Sequence, residues 1–122
     1  MMKMFISPDS PFLTTDTRAK RWAIPYYPEC VNGRIDVLLE RNINALAGKS
    51  VLDVGSHIGT FAWAALQLGA KQVHGIDVEE RTVKRCEGLF RQEGVSPSTY
   101  KFEARDICEF LEDVEENAFD TV

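Results

Sequence analysis

Three acidic residues, Asp53, Asp77 and Asp106, each lie in or just after an apolar run that is typical of a buried strand. In an open parallel sheet, ligands bind beyond the carboxyl ends of the strands, so these carboxylates are expected at one binding edge. Carboxylates accept hydrogen bonds from ammonium, hydroxyl and amino groups. The pattern therefore predicts a site for a polar ligand that carries several such donors.

A turn that contains two glycines follows the first acid, with the sequence Gly55-Ser56-His57-Ile58-Gly59. Gly55 allows a sharp bend away from the strand, and Gly59 allows close packing of helix and strand. Amides at the start of the next helix suit a carboxylate, while Asp53 suits a neighbouring ammonium. A dinucleotide instead brings a pyrophosphate, which prefers a GxGxxG turn without a preceding acid. The GxxxG spacing, with His57 at the place of a middle glycine, favours a nucleoside that bears an amino acid.

The second and third strand ends supply the groups that a nucleoside needs. Asp77 can accept from both ribose hydroxyls, and Val78 can pack on the adenine face. Asp106 can accept from the exocyclic amine, and the Ile107 amide can donate to a ring nitrogen. Two alternatives stay open. Asp77 and Asp106 each precede a predicted helix and can be plain caps, and His57 can shape the pocket or relay a proton.

Segments with the hydrophobic period of a strand and segments with that of a helix alternate along residues 34–122. These elements must hold the candidate site residues in place. Short apolar runs predict strands at residues 50–54, 72–77, 99–104 and 119–122, with helices between them. Before the first strand, an amphipathic helix is predicted from Arg34 to near Gly48, with an apolar face made of Ile35, Leu38, Leu39, Ile43 and Leu46. The alternation predicts an α/β fold with a Rossmann-like, doubly wound parallel sheet.

Residues 1–33 contain four of the five prolines and are predicted to form an N-terminal arm, with a short helix at 16–22. Residues 34–122 are predicted to form the ligand-binding domain. The net charge of −5 disfavours non-specific binding to phosphate backbones. A local basic cluster, Arg18, Lys20 and Arg21, is either a solvated stretch or a steering group for an anion.

The three cysteines, Cys30, Cys86 and Cys108, form neither a CxxC pair nor a Cys/His cluster. This spacing predicts free, mostly buried thiols in a reducing cytosol, without a zinc site or a disulfide framework. The apolar start of the chain is too short for a signal peptide, and no run approaches the length of a membrane span. A cytoplasmic protein without membrane contact is therefore expected.

Four segments at these positions resemble motifs of the class I S-adenosylmethionine-dependent methyltransferases. VLDVGSHIG resembles the family's first motif, GIDV its second-strand acidic motif, EARDI its adenine-contacting segment and AFDTV the opening of its fourth strand. The resemblance covers about residues 49–122, and His57 departs from the commonest glycine. It implies S-adenosylmethionine as cofactor, with S-adenosylhomocysteine as its product, held by Asp53, Gly55, Ser56, His57, Gly59, Asp77, Val78, Asp106 and Ile107.

The resemblance also implies a larger sheet in which the fourth strand lies beside the first. The chain is therefore expected to be a truncated, cofactor-binding half with an incomplete sheet and doubtful activity of its own. Leu52 and Val54 would lie on an exposed strand edge, which allows a homodimer by strand exchange.

The methyl acceptor and the catalytic residues stay unassigned, with a small-molecule acceptor favoured over nucleic acid. Two other functions remain open. One is a module that binds S-adenosylmethionine or S-adenosylhomocysteine without transfer. The other is a fragment of a dinucleotide oxidoreductase, which Asp53 and the GxxxG turn disfavour.

Overall fold

The computed structural model describes residues 4–13 and 24–122, so the helix predicted at 16–22 and the basic cluster lie outside the described residues. Within these ranges, three parallel strands form one sheet: β1 (Ser50–Val54), β2 (Gln72–Asp77) and β3 (Tyr100–Ala104). The α-helices are α1 (Pro28–Arg34), α2 (Thr60–Gln67), α3 (Glu80–Gln92) and α4 (Ile107–Asp113). From β1 onward strands and helices alternate, as the two spacings of apolar residues in the sequence predict.

β1 has a neighbour on each side. It pairs with β2, which in turn pairs with β3, and Val51 lies opposite Val73 in the first pair. On its other side, the backbone N–H of Leu52 donates to the Thr121 carbonyl at 2.9 Å, and Val51 forms a parallel bridge with Thr121. The strand order therefore reverses at β1, which is where open α/β sheets bind ligands. The Rossmann-like prediction is confirmed, and the β1 edge that was expected to be exposed is partly covered.

Apolar side chains cover both faces of the sheet, as a doubly wound fold requires. Val51 and Val73 face α2 and α3 in one cluster with Ala62, Ala65, Val83, Cys86, Phe90 and Phe102. Leu52 and Ile76 face the other way and pack with Phe110 of α4. Alternate strand residues are thus buried on opposite faces of the sheet.

The segment 4–13 packs against α1 and α2. Asn32 of α1 is 1% exposed; its Oδ1 accepts from the Ile6 N–H at 2.7 Å, and its Nδ2 donates to the Ile6 carbonyl at 3.0 Å. Phe12 stacks on Trp63 with ring centroids 5.3 Å apart. The Phe12 carbonyl also accepts from the Thr60 hydroxyl at 2.8 Å. These contacts make the segment part of the packed structure.

The helix predicted from Arg34 begins earlier, at Pro28. A proline suits the first helical position because the N–H that it lacks would have no partner there. Beyond Arg34 the chain continues as a π-helical stretch, Ile35–Leu39, and a 3-10 stretch, Glu40–Ala45. The division into an arm and a domain after residue 33 falls inside α1, and it stays a prediction.

The apolar face predicted for this helix is only partly buried. Ile35 and Leu46 are buried, whereas Leu38 is 56% and Ile43 37% exposed. The prediction of one regular amphipathic helix is wrong here, because each change of pitch rotates the following side chains around the axis. Leu38 instead borders an open apolar groove beside β1.

Within residues 4–13 and 24–122, no helix combines the length and the apolar character needed to cross a membrane. Over the same ranges, no group of three or more His, Cys, Asp and Glu side chains is arranged to hold a metal ion. The thiols of Cys30, Cys86 and Cys108 are free, but only Cys86 is buried. The expectation of mostly buried thiols is therefore wrong for Cys30 and Cys108, which are exposed in α1 and α4.

Candidate functional site

A cleft of about 200 Å³ lies at the carboxyl ends of the strands. Its lining residues are Val54, Gly55, Ile76, Asp77, Val78, Arg105, Asp106 and Ile107. Five of the residues predicted from the sequence meet in this cleft: Gly55, Asp77, Val78, Asp106 and Ile107. The other four, Asp53, Ser56, His57 and Gly59, lie on β1 or in the turn that leaves it.

Aliphatic side chains give the cleft an apolar lining. Val54 is 46% exposed and Val78 is 76% exposed, although the side chains of both are apolar. Ile76 is buried beneath them, and Ile107 is half-buried. Because covering exposed apolar surface is favourable, this slot suits a flat heterocyclic group.

The Asp77 carboxylate joins the first two strand ends. Its Oδ2 accepts from the backbone N–H of His57 at 2.9 Å, and its Oδ1 accepts from the N–H of Glu79 at 3.1 Å. The cap residue of α3 is Glu79, so Asp77 is not the plain helix cap of the alternative interpretation. A carboxylate has about four acceptor sites, so these two bonds leave capacity for ligand hydroxyls.

The turn after β1 is fixed to the end of β2. The N–H groups of Gly55 and Ser56 both donate to the Ile76 carbonyl, at 2.8 and 3.0 Å. The Ser56 side chain is buried, and its Oγ has no hydrogen-bond partner among the described residues. A Cβ built at Gly75 of β2 would lie 2.9 Å from the Ser56 Cβ. Ser56 therefore packs on β2 and is not among the residues that line the cleft.

Both glycines of the turn have a positive φ, 73° at Gly55 and 87° at Gly59. A Cβ at Gly55 would meet no atom within 4 Å, so this glycine leaves open space. A Cβ at Gly59 would lie 2.6 Å from the Cys86 Sγ and 2.7 Å from the Phe90 ring. Gly59 thus allows α2 to approach α3, whereas the sequence motif predicted an approach of helix to strand.

The N-terminus of α2 follows the turn directly. Gly59 is its cap residue, and no side chain among the described residues caps α2 by a hydrogen bond. The first amides of a helix have no partner within the helix and carry its positive dipole end. This end of α2 therefore suits an anionic group.

Asp53 lies close enough to Asp77 for the two charges to interact. Burial raises the pKa of Asp53 to about 6, and the Asp77 carboxylate adds to the rise. Ionisation of Asp53 is costly in this position, and a neighbouring cation would lower that cost. The electrostatics thus favour an ammonium group and oppose a pyrophosphate.

Asp106 is the cap residue of α4. Its Oδ1 accepts from the N–H groups of Cys108 and Glu109, at 2.8 and 3.3 Å. The capping role that the sequence left open is therefore present, in a residue that also lines the cleft. The predicted contacts of Asp106 and Ile107 with adenine stay predictions.

His57 contacts Tyr26, a residue that the sequence did not single out for the site. The Nδ1 of His57 lies 2.6 Å from the Tyr26 Oη, with ring centroids 5.2 Å apart. His57 also has a left-handed backbone, with φ 51°. Tyr26 belongs to the proline-rich segment before α1, where the aromatic residues show no periodicity. The two residues are 31 positions apart, and no short motif signals such a contact.

Comparison with known proteins identifies the family. The family model described as a methyltransferase domain matches residues 45–122, more than half of the chain, so the chain belongs to this family. The ribosomal protein L11 methyltransferase of Aquifex aeolicus (strain VF5) is 37% identical over 62 residues. That match covers 51% of this chain and 25% of the relative, so the chain matches about a quarter of the relative's length.

Solved structures show the same fold. The bifunctional kinase-methyltransferase WbdD matches with a TM-score of 0.61 and 26% identity, over 72% of this chain and 20% of that chain. The protein SMU.776 complexed with SAH, S-adenosylhomocysteine, matches with a TM-score of 0.52 and 24% identity, over 57% and 19% of the two chains. The resemblance of the sequence to class I S-adenosylmethionine-dependent methyltransferases is thereby confirmed.

Proposed function

We propose that this chain is the cofactor-binding part of an S-adenosylmethionine-dependent methyltransferase. The observation that carries the proposal is the hydrogen bond between the Asp77 carboxylate and the turn 55–59, beside an apolar slot at the switch point of the sheet. Membership of the methyltransferase family supports methyl transfer, and SMU.776 with its bound SAH supports this cofactor class.

The chemistry of the donor set fits this cofactor. Asp53 would hold the ammonium, and the first amides of α2 would hold the carboxylate. Asp77 would accept from the ribose hydroxyls. Val78 would cover the adenine, while Asp106 and the Ile107 amide would bind its polar edge. Each of these groups lies at the carboxyl end of the sheet or in the loops that follow.

The turn residues would act through their backbone and their packing. Gly55 leaves open space beside the cleft, into which a larger side chain would project. Ser56 and Gly59 hold the turn against β2 and α3. The N–H of His57 orients the Asp77 carboxylate.

The cofactor supplies, when bound, a methyl group that its sulfonium already activates. The protein then needs to align the acceptor and exclude water, and a base is required only for some acceptors. The relative's name, ribosomal protein L11 methyltransferase, supports a protein acceptor. The net charge of −5 supports a protein or a small molecule over nucleic acid.

We also propose that residues 34–122 form the cofactor domain and residues 1–33 an N-terminal arm. The hydrogen bond of Thr60 to Phe12 supports the packing of the segment 4–13 on that domain. The free thiols support a reducing compartment, and we propose the cytoplasm. A homodimer by strand exchange stays a prediction.

Isothermal titration calorimetry of this chain with SAH and with NAD tests the proposed function. We expect saturable binding of SAH and none of NAD at the same concentration. Saturable binding of NAD without binding of SAH would contradict the proposal. In a transfer assay with S-adenosylmethionine labelled on its methyl group, labelling of an acceptor would rule out a module that only binds the cofactor.

A further inference from the structure

Tyr26 contacts the residue whose backbone N–H binds Asp77, one of the two acids that the proposed function assigns to the cofactor. Its Oη is 2.6 Å from the His57 Nδ1, and the His57 N–H is 2.9 Å from the Asp77 Oδ2. Burial raises the pKa of Tyr26; the Arg34 guanidinium lowers it, and the Asp77 and Asp53 carboxylates raise it. The phenol therefore stays protonated at neutral pH.

The backbone around Tyr26 is fixed to α1 and α2. The Arg34 guanidinium donates to the Pro25 carbonyl, directly before Tyr26. The same guanidinium lies over the Phe61 ring of α2, 4.9 Å from its centroid. With the bond to His57 at its tip, Tyr26 is held at both ends, so its ring position does not depend on a ligand.

The contacts proposed for Asp53 and Asp77 would put the charge of the cofactor between these two acids. In S-adenosylmethionine the sulfonium joins the amino-acid chain to the ribose. Asp53 is proposed for the ammonium of that chain and Asp77 for the ribose, so the sulfonium would lie between them. An aromatic ring attracts a cation that lies over its face.

We infer that Tyr26 faces the sulfonium and makes the site prefer the charged methyl donor over the uncharged product. This inference rests on the proposed function. In this role Tyr26 is a specificity-determining residue, because it distinguishes two ligands that differ by one methyl group and one positive charge. His57 holds the ring in place through its Nδ1.

Calorimetry with S-adenosylmethionine and with SAH tests the inference on the unmodified chain and on three variants. Tyr26→Leu removes the ring, and we expect the preference for S-adenosylmethionine over SAH to fall about 3- to 30-fold. Tyr26→Phe keeps the ring and removes the hydroxyl, so both affinities should fall together and the preference should persist. Tyr27→Leu is the matched control, because Tyr27 is adjacent and 51% exposed.

A residue with a purely structural role would give a different result. If Tyr26→Leu lowers the affinities for S-adenosylmethionine and for SAH by the same factor, Tyr26 does not face the sulfonium and the inference is wrong. If the unmodified chain binds neither ligand, the proposed function fails together with the inference. Binding of both ligands with an unchanged preference in Tyr26→Leu would leave the proposed function intact.

A second measurement keeps the test independent of whether Tyr26→Leu folds. The S-methyl protons of bound, ¹³C-methyl-labelled S-adenosylmethionine should shift upfield in the unmodified chain, because the ring current of Tyr26 shields them. Tyr26→Phe should retain this shift. The absence of an upfield shift in the unmodified chain would overturn the inference.

Discussion

The backbone N–H of His57 donates to the Oδ2 of Asp77 at 2.9 Å, which ties the turn after β1 to the end of β2. The bond orients the carboxylate and fixes a residue whose backbone is left-handed. Asp77 thus combines two tasks: it stabilises the turn, and it presents acceptor capacity at the cleft.

Substitution of Asp77 by alanine should weaken SAH binding by about 10- to 150-fold, equivalent to about 1.5–3 kcal/mol for charge-assisted hydrogen bonds. Asp77→Asn keeps an acceptor for the His57 N–H and should show a smaller loss. Calorimetry at pH 7.5 measures both variants. Glu79→Ala, which removes an exposed carboxylate two positions away, is the control and should leave the affinity unchanged. Equal affinities of Asp77→Ala and the unmodified chain would show that Asp77 has only a structural role.

Replacement of Asp53 by asparagine should stabilise the free protein at neutral pH. The pKa of Asp53 is about 6 in the folded chain and near 3.9 in an unfolded one, so the folded state holds the proton more tightly. The contribution of Asp53 to the free energy of unfolding therefore falls as the pH rises from about 4 through 6, by about 3 kcal/mol in total. In the Asp53→Asn variant, the free energy of unfolding does not have this decrease with pH. Thermal unfolding at pH 4, 5, 6 and 7 should show the variant gaining stability relative to the parent as the pH rises.

The same substitution should weaken ligand binding although it stabilises the chain. Asp53→Asn removes the carboxylate proposed for the ammonium, so SAH affinity at pH 7.5 should drop about 10-fold or more. In the unmodified chain, affinity should also decrease below pH 6, because a protonated Asp53 no longer attracts the ammonium. If the Asp53→Asn variant binds SAH with unchanged affinity, the ammonium of the ligand binds elsewhere.

Gly59→Ala should destabilise the fold by about 2–4 kcal/mol. The new Cβ would meet the Cys86 Sγ and the Phe90 ring, and the residue would have to keep a φ of 87°. Gly88→Ala is the matched control, because Gly88 lies within α3 and a Cβ there meets no atom within 4 Å. The control should gain about 0.5–1 kcal/mol from its lower conformational entropy in the unfolded state. Chemical denaturation measures both, and similar effects of the two substitutions would contradict the packing role of Gly59.

Asn32→Ala should release the segment 4–13 from α1. The substitution leaves the backbone groups of Ile6 and the Pro28 carbonyl without their Asn32 partners, at a cost of about 2–4 kcal/mol. Limited proteolysis should then cleave near Ile6 faster than in the parent. Asn44→Ala, at an exposed position, should change stability by less than about 0.5 kcal/mol. Unchanged proteolysis in Asn32→Ala would show that other contacts hold the segment.

The strands could be predicted from the sequence because each is a short apolar run between turn residues. Strands have period two and helices period 3.6, so the change at Ser50 and again at Thr60 is visible in the printed chain. The strand-end acids follow from the same pattern, since parallel strands place their carboxyl ends at one edge. This explains why Asp77 and Asp106 were predicted to meet, and both line the cleft.

Contacts between distant segments could not be predicted in the same way. Asn32 lies in a helix that begins at a proline, and its hydrogen bonds reach 26 positions back along the chain. Tyr26 contacts His57 through a comparable separation. Both contacts involve residues that precede α1, namely Ile6 and Tyr26. No periodic pattern in that part of the sequence indicates which side chains face the core.

The position of β1 also has a consequence for the order in which the sheet assembles. Its first neighbour, β2, follows one helix later, whereas the Ser50 N–H bonds Asp120 across 70 positions. Because the entropy lost on closing a loop grows with its length, we expect β1 and β2 to pair first and the Asp120 side to join later. During that interval the strand that carries Asp53 has an open edge, and this is the stage at which another chain could pair with it.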